Sequence, residues 1–185
     1  MDTSNLDLHV SLDLETMGTR PYSAIVAIGA CKFIPTTGEI VDRFQANVDL
    51  SSVLKAGLRM DGETVVWWLN TAPQTARDAL AETPRIELIE ALYGFAEWFG
   101  PASLPTWGNG ATFDNVLLEC AYSTAGLDAP WKFFHSRDLR TLKQLLPVDH
   151  PWPKPDAAQA HIAVHDAVAQ AQCVIEAYRA LQVAA

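Results

Sequence analysis

Residues 8–15, LHVSLDLE, alternate strictly between apolar and polar side chains. A period of two is the period of a β-strand, whose successive side chains point to opposite faces of the sheet. The segment therefore predicts a half-buried strand. The same alternation places Asp13 and Glu15 on one face, close to the end of that strand.

Two further apolar segments follow, rich in β-branched residues. Residues 24–34, AIVAIGACKFI, and residues 40–48, IVDRFQANV, are separated by PTTGE, whose composition favours a turn. Three consecutive strands with short links predict an antiparallel meander. Residues 49–61 show no clear periodicity and are predicted to form a loop.

The rest of the chain combines helical patterns with short strands. Thr83 is predicted to cap the third helix, with Pro84 as its first helical residue. This order predicts one α/β domain over residues 1–185, with a mixed sheet flanked by helices. Helices are predicted at residues 62–70, 73–82, 84–99, 112–125, 138–146 and from 157 onward, short strands at 104–108 and 131–135, and a proline-rich loop at 147–156.

Composition places the chain among folded globular proteins and makes it acidic. Of its 185 residues, 49% are hydrophobic, and 22 Asp and Glu against 13 Lys and Arg give a net charge of −9. That charge argues against a protein that coats nucleic acid by bulk attraction. It does not exclude an enzyme that acts on nucleic acid.

No segment has the length and hydropathy of a membrane span, and the first residues lack the pattern of a signal peptide. We therefore expect no membrane partner and a cytoplasmic location. Cys31, Cys120 and Cys173 lie far apart and form no CxxC pair. This spacing favours reduced, buried thiols over a disulfide framework or a structural zinc site.

Two segments carry acids in settings that suggest chemistry. Asp13 and Glu15 repel each other unless they are solvated, paired with cations or bound to metal, so a solvated strand end is the alternative. In WGNGATFDN, residues 107–115, a strand leads through a glycine-rich turn into a helix with Asp114 in its first turn. An acid favoured there by the helix dipole is the alternative for Asp114.

The segment HIAVHD, residues 161–166, adds His161 and Asp166. A zinc pair of His161 and His165 lacks the Glu that a HExxH site places after its first His, because residue 162 is Ile. Together the three segments supply four carboxylates, and hard oxygen ligands of this kind suit Mg²⁺ or Mn²⁺. His161 would add a base that titrates near neutral pH.

The motifs DLET (13–16), GNGATFDN (108–115) and HIAVHD (161–166) resemble, in order and spacing, the three exonuclease motifs of the DEDDh 3'–5' exonucleases. The resemblance implies an RNase H-like fold. It also implies release of nucleoside 5'-monophosphates from the 3' end of single-stranded RNA or DNA, or of 3' overhangs, with two Mg²⁺ or Mn²⁺ ions. It assigns the metal to Asp13, Glu15, Asp114 and Asp166, and the role of general base to His161.

Within that family, DLETMGTRPYSAIVAIGA, VVWWL and SRDLRTL are most similar to the group of ribonuclease AS and phage exonuclease VIII-like proteins. Members of this group are often dimeric, so a homodimer is expected. His165 departs from the family pattern, which commonly has an acid there, but that position is not a ligand. Degradation of very short oligonucleotides and a catalytically weak nucleic-acid-binding module are the alternatives.

The resemblance implies that Met17, directly after the first motif, contacts the terminal nucleotide, and substrate contacts are also expected from Thr16 and Trp68. Trp67 and Trp68 are adjacent on a predicted helix and so point about 100° apart, which allows one to pack in the core and the other to face the site. Packing of both in the core is the alternative. Basic residues concentrate in a later stretch, where they outnumber two acids and either hold phosphates or form a solvated face. These residues are Lys132, Arg137, Arg140, Lys143 and Lys154.

Overall fold

The computed structural model describes residues 7–101, 103–156 and 159–183. Within these residues, five strands form one sheet in the order β3-β2-β1-β4-β5. The first three strands are an antiparallel meander, whereas β4 runs parallel to β1 and β5 parallel to β4. The predicted mixed sheet is confirmed. The strands are β1 (His9–Thr16), β2 (Ile25–Ile34), β3 (Glu39–Asn47), β4 (Thr106–Gly108) and β5 (Ser136–Asp138).

Helices flank this sheet, as the sequence pattern predicts. In the described segments they are α1 (Leu50–Lys55), α2 (Gly62–Asn70), α3 (Gln74–Ala81), α4 (Leu88–Phe99), α5 (Asp114–Thr124), α6 (Leu139–Lys143) and α7 (Ala163–Val183). No helix of the described residues is long and apolar enough to cross a membrane.

The predicted loop at 49–61 is wrong in its first half, where α1 forms. The Asp49 carboxylate accepts a hydrogen bond from the Ser52 backbone N–H at 2.7 Å, and the Ser52 hydroxyl donates to the Asp49 carbonyl at 2.7 Å. Capping of this kind stabilises a helix of six residues that is too short to show a hydrophobic period.

The prediction that Thr83 caps the third helix is also wrong, because α4 begins at Leu88. The residues before it cover the sheet instead. The Arg85 guanidinium donates to the Val48 carbonyl at 3.0 Å, and Ile86 forms a parallel bridge with Val48. These long-range contacts outweigh the local Thr–Pro signal.

Other bounds also differ from the prediction, and the helix predicted to reach residue 146 ends at Lys143. The strand predicted at 131–135 is wrong, since Phe133–His135 form a 3-10 turn and the strand follows at 136–138; Phe133 points outward and is 83% exposed. The last helix begins at Ala163 and not near 157, because His161 has a φ of 61°, outside the helical region. Residues 157–158 lie outside the described residues.

The sheet separates two apolar clusters. Leu12, Leu14, Phe95 and Leu117 belong to the larger one, which unites one face of β1 with α4 and α5. The smaller cluster lies on the other face and joins strand residues such as Phe33 to α6 and α7. Since Asp13 and Glu15 alternate with Leu12 and Leu14, they share the face that α7 covers.

Helix α7 begins in direct contact with the backbone of β2 at Gly29. A Cβ atom at Gly29 would lie 2.1 Å from the Ala163 carbonyl carbon and 2.2 Å from the Val164 nitrogen. Gly29 pairs with Asp13 across the two strands. A glycine at this position therefore allows the first turn of α7 to reach the sheet beside the first acid.

Candidate active site

The first two acids lie where β1 ends. The Asp13 Oδ1 atom accepts a hydrogen bond from Gln170 Nε2 of α7 at 2.6 Å. The Glu15 Oε1 atom is buried and has no hydrogen-bond partner in the described part of the chain. A buried acceptor without a donor is costly unless another group satisfies it.

Asp114 connects the ends of β1 and β4 and is 1% exposed. Its Oδ1 atom accepts a hydrogen bond from the Leu14 backbone N–H at 3.2 Å, and its Oδ2 atom accepts one from the Asn109 backbone N–H at 2.8 Å. A Cβ atom at Gly108 would lie 3.1 Å from the Asp114 Cβ, so the glycine allows this close approach. The glycine-rich motif thus serves to bring Asp114 to the end of β1.

Asp166 and His161 enter from the start of α7. The His161 backbone N–H donates to Asp166 Oδ2 at 2.7 Å, which fixes the segment before the helix against the acid. One ligand atom each from Glu15, His161 and Asp166 lie within 4.8 Å of one another. The structure therefore brings acids from all three motifs, together with His161, to the C-terminal end of the central strand β1.

Burial and mutual repulsion make these carboxylates weak acids when no cation is bound. Burial first, and then the charges of Asp166 and Asp114, raise the pKa of Glu15 to about 8. Burial, followed by the charges of Asp114, Glu15 and Asp166, raises the pKa of Asp13 well above its usual range. The ionised carboxylates would therefore be stabilised by a bound cation.

The pKa values of the two remaining acids, Asp114 and Asp166, are also raised. Burial raises the pKa of Asp114 to about 6, although the hydrogen bonds from Asn109 and Leu14 oppose that rise. Burial also raises the pKa of Asp166, against the opposing backbone hydrogen bond from His161. No Lys or Arg of the described residues lies within 4.0 Å of these acids to balance them.

The donor set fits hard divalent cations. Its atoms are carboxylate oxygens with one imidazole nearby, and one of the oxygens, Glu15 Oε1, is buried and unpaired. Mg²⁺ and Mn²⁺ bind such oxygens, and a cation would offset the repulsion that raises the pKa values. The residues of this site thus fit a divalent metal centre.

A cavity of about 720 Å³ opens over the acids. Thr16 and Trp68, two of the expected substrate contacts, lie in its wall; Trp68 is 5% exposed and donates its indole N–H to the Thr16 carbonyl at 2.9 Å. Met17, the third, packs into the larger apolar cluster and is 7% exposed. Trp67 is more exposed than Trp68, and its ring contacts that of His161 at a centroid distance of 5.4 Å.

The sequence reasoning missed Gln170, whose amide donates to Asp13. A signal was present, since Gln170 follows Asp166 by four residues and side chains at that spacing share one face of a helix. An amide one turn after the last acid of the third motif was therefore placed to reach the acids of the first.

A sequence model of the 3'–5' exoribonuclease Rv2179c-like domain matches residues 8–178, which include all three motifs. The chain belongs to the Rv2179c-like 3'–5' exoribonuclease family. It is therefore a 3'–5' exonuclease of the DEDDh type, as the resemblance of its motifs implies. A search of curated protein sequences finds no significant match.

Solved structures support the fold of this Rv2179c-like domain. The nuclease domain of 3'hExo, a DEDDh family member bound to rAMP, is similar with a TM-score of 0.62 and 14% identity, over 97% of this chain and 94% of that one. Exonuclease I gives a TM-score of 0.64 and 15% identity, over 95% and 43%. Cell-death related nuclease 4 gives 0.59 and 13%, over 96% and 64%. The RNase H-like fold expected from the motifs is confirmed.

Proposed function

We propose that this exonuclease domain removes nucleotides one at a time from the 3' end of single-stranded RNA and releases nucleoside 5'-monophosphates. The description of the matching family favours RNA over DNA as the substrate. In this proposal the acids hold two Mg²⁺ or Mn²⁺ ions and His161 is the general base. The metal ligands are Asp13, Glu15, Asp114 and Asp166.

One observation carries the proposal: Asp13, Glu15 and Asp166 line one cavity together with His161. Asp114 is hydrogen-bonded to the Leu14 backbone beside them, and none of the four acids has a Lys or Arg within 4.0 Å among the described residues. When bound, two divalent ions supply positive charge for the attacking and leaving oxygens of a phosphoryl transfer. His161 is exposed to the cavity and is the group placed to accept a proton from the attacking water.

The protein residues around this centre have separate tasks in the proposal. The backbone N–H groups of Leu14 and Asn109 orient Asp114, and Gln170 orients Asp13. Trp67 offers an aromatic face beside His161 on which the terminal base stacks, because stacking holds single strands with little regard to sequence. Thr16 and Trp68 form the wall behind it, and Met17 supports that wall from the core.

The test is a side-by-side digestion of 5'-labelled single-stranded RNA, single-stranded DNA and duplexes with a 3' overhang, in Mg²⁺ and in Mn²⁺. We expect a ladder that shortens from the 3' end, nucleoside 5'-monophosphates as products, and loss of activity on chelation. Internal cleavage, or 3'-phosphate products, would contradict the proposal.

A length series separates the remaining alternatives. Digestion of RNA from two to thirty nucleotides long distinguishes a general exonuclease from an enzyme restricted to very short oligonucleotides. His161→Ala is the inactive control of this series. It removes the proposed general base, and because the residue is exposed its loss should leave the fold intact. Binding of RNA without any turnover in either metal would instead indicate a binding module.

Three further properties belong to the proposal. We propose one exonuclease domain for residues 1–185, a cytoplasmic location and a homodimeric assembly. Light scattering of the purified chain at micromolar concentration tests the assembly, and a monomer mass would contradict it.

A further inference from the structure

The active-site cavity has walls of different charge along the axis of α7. Near the start of the helix, His161 and Trp67 face the acids, with Asp61 and Glu63 of the α2 start beside them. Cys173 follows Asp166 by seven residues, roughly 10 Å farther along the helix axis. Two lysines, Lys143 and Lys154, also line the cavity, and contacts place both near Cys173: the Lys143 charge acts on the Cys173 thiol, which donates to the carbonyl of Pro153, the residue before Lys154.

Lys143 is held in place at this wall. Its ammonium lies 5.2 Å from the centroid of the Trp152 ring, a distance typical of a cation–π contact. It is also close to Cys173: burial raises the pKa of that thiol, and the Lys143 charge opposes part of the rise. Asp138 caps α6 by accepting hydrogen bonds from the backbone N–H groups of Arg140 and Thr141, which fixes the short helix that carries Lys143.

Lys154 lies in the proline-rich loop of residues 147–156, between Pro153 and Pro155. Prolines restrict φ and favour an extended backbone, so this lysine is presented with little loss of conformational entropy. Two contacts fasten the loop to α7: the Cys173 thiol donates to the Pro153 carbonyl at 3.3 Å, and His150 Nε2 lies 3.4 Å from Glu176 Oε1. The loop is thus a fixed wall of the cavity.

Both lysines have charge available for a ligand. Within the described part of the chain, neither ammonium has a carboxylate within 4.0 Å. By contrast, Lys132 lies over the Phe134 ring at 5.9 Å, and Arg137 donates to the carbonyls of Phe134 and Ser136; neither lines the described cavity. Of the five basic residues in this stretch, only the pair on α6 and the proline-rich loop reaches the cavity wall described here.

We propose that Lys143 and Lys154 bind the backbone phosphates of the nucleotides that precede the scissile bond, so that the strand lies along α7 with its 3'-terminal base at Trp67. A compact ammonium binds phosphate as a point charge, whatever the base. The inference rests on the proposed function, because it takes the scissile phosphate to lie at the acids. It adds the direction in which the nucleic-acid strand lies in the cavity and a subsite that binds its backbone phosphates.

Kinetics on two substrate lengths test this subsite. A dinucleotide contains only the scissile phosphate, whereas a hexanucleotide adds four more upstream. We expect Lys143→Ala/Lys154→Ala to lower kcat/KM on the hexanucleotide by about tenfold or more, mainly through KM, since a charge-assisted contact is worth about that much. On the dinucleotide the deficit should be several-fold smaller, and Lys154→Arg, which keeps the positive charge, should stay close to wild type on both substrates.

Two controls keep the result specific. Lys132→Ala removes a lysine outside the cavity and should change neither substrate by more than about twofold, as is usual for a surface charge. Lys154→Ala alone tests the exposed lysine without disturbing the Trp152 contact of Lys143. Equal losses on both lengths, or no loss on the hexanucleotide, would overturn the inference.

A binding measurement separates failure of the subsite from failure of the proposed function. The probe is a fluorescent single-stranded RNA with phosphorothioate 3' linkages, titrated with protein at several salt concentrations. Two lost phosphate contacts should flatten the slope of log K against log salt by about 1.4, at roughly 0.7 per contact for a single strand. An unchanged slope overturns the subsite even if cleavage is observed, and a flattened slope supports it even if none is.

Discussion

Strand β1 carries buried polar side chains at both of its ends, and the two ends are built in opposite ways. At the start, His9 is 5% exposed; its Nδ1 accepts from Trp107 Nε1 at 3.0 Å, and its Nε2 lies 3.0 Å from Asp7 Oδ1. Because an indole nitrogen only donates, Nδ1 must be the acceptor, and Nε2 then carries the hydrogen that it donates in a hydrogen bond to Asp7 Oδ1. Every polar atom of this ring has a partner.

At the far end of the same strand, Glu15 Oε1 is buried without a partner and Asp13 lies among three other acids. Burial lowers the pKa of His9, which keeps the ring neutral, whereas it raises the pKa of Glu15 towards 8 and leaves repulsion whenever that acid is ionised. The difference indicates that one end stabilises the fold, while the other is completed by a ligand of positive charge.

The largest effect should come from Glu15→Gln. We expect turnover to fall by roughly a thousandfold, because the side chain keeps its shape but loses the charge that holds a divalent ion. Without metal at pH 8, the same variant should melt at a higher temperature than wild type, since like-charge repulsion is removed. Steady-state kinetics and thermal unfolding in chelator check both parts.

Glu39→Gln is the matched control, an exposed glutamate on β3 that should alter neither quantity. Wild-type turnover of Glu15→Gln, or a lower melting temperature in chelator at pH 8, would contradict the claim that this end of β1 is completed by a bound cation.

Gly29→Ala should have the next largest effect and act only on the metal end. The added Cβ would meet the α7 backbone at 2.1 Å, so the start of the helix must shift and carry Asp166 with it. We expect activity to fall by about tenfold to a hundredfold, consistent with displacement of a catalytic group by about an ångström. The affinity for Mn²⁺, measured by calorimetry, should weaken in parallel.

Gly94→Ala is the control for this substitution. Gly94 lies inside α4, and a Cβ there meets only the Phe44 ring at 3.9 Å. Alanine should stabilise that helix by about 0.5–1 kcal/mol and leave metal affinity unchanged. Equal effects at positions 29 and 94 would show that the α7 contact has no special role.

His9→Leu tests the start of β1, where every polar atom of the His9 ring has a hydrogen-bond partner. The substitution leaves the Trp107 indole N–H buried without an acceptor, so unfolding free energy should drop by about 1–3 kcal/mol. Turnover per folded molecule should stay at the wild-type value, because His9 is separated from the acids by the length of β1. Urea unfolding and active-site titration distinguish the two; lost turnover in fully folded protein would contradict the division of roles.

The pH dependence of stability should give the smallest effect. In metal-free protein the pKa of Glu15 is raised from 4.5 to about 8, so the folded state retains a proton that the unfolded chain releases. Stability therefore declines as pH rises from about 4.5 to 8. Mg²⁺ should raise the melting temperature more at pH 8 than at pH 5, and the reverse order would contradict the charge assignment.

The sequence predicted the acid-bearing end of β1 better than the end at His9. Strict alternation placed Asp13 and Glu15 on one face, and the motif spacing added Asp114, His161 and Asp166. Those assignments depend on short patterns that physical chemistry or family resemblance can interpret. The partners of His9 were not predicted, because Trp107 lies about a hundred residues away on another strand and no local pattern links them.

The same limit explains the errors in the fold. Arg85 and Ile86 leave the predicted helix for contacts with residues almost forty positions earlier, and Lys143 meets Cys173 only after α6 has packed on α7. Local hydrophobic periodicity does not predict such long-range contacts. Strands and helices of ordinary length were therefore predicted well, while caps, short helices and the walls of the cavity required the folded chain.

The backbone contact between Gly29 and Ala163 also bears on how this enzyme can change during evolution. The spacing between the acid on α7 and those on β1 is fixed there by main-chain atoms and not by the size of packed side chains. Apolar residues elsewhere in the core can then drift in volume, or be redesigned for stability, without altering the geometry of the acids. Lineages of this domain should consequently tolerate broad sequence divergence in the core while position 29 stays glycine.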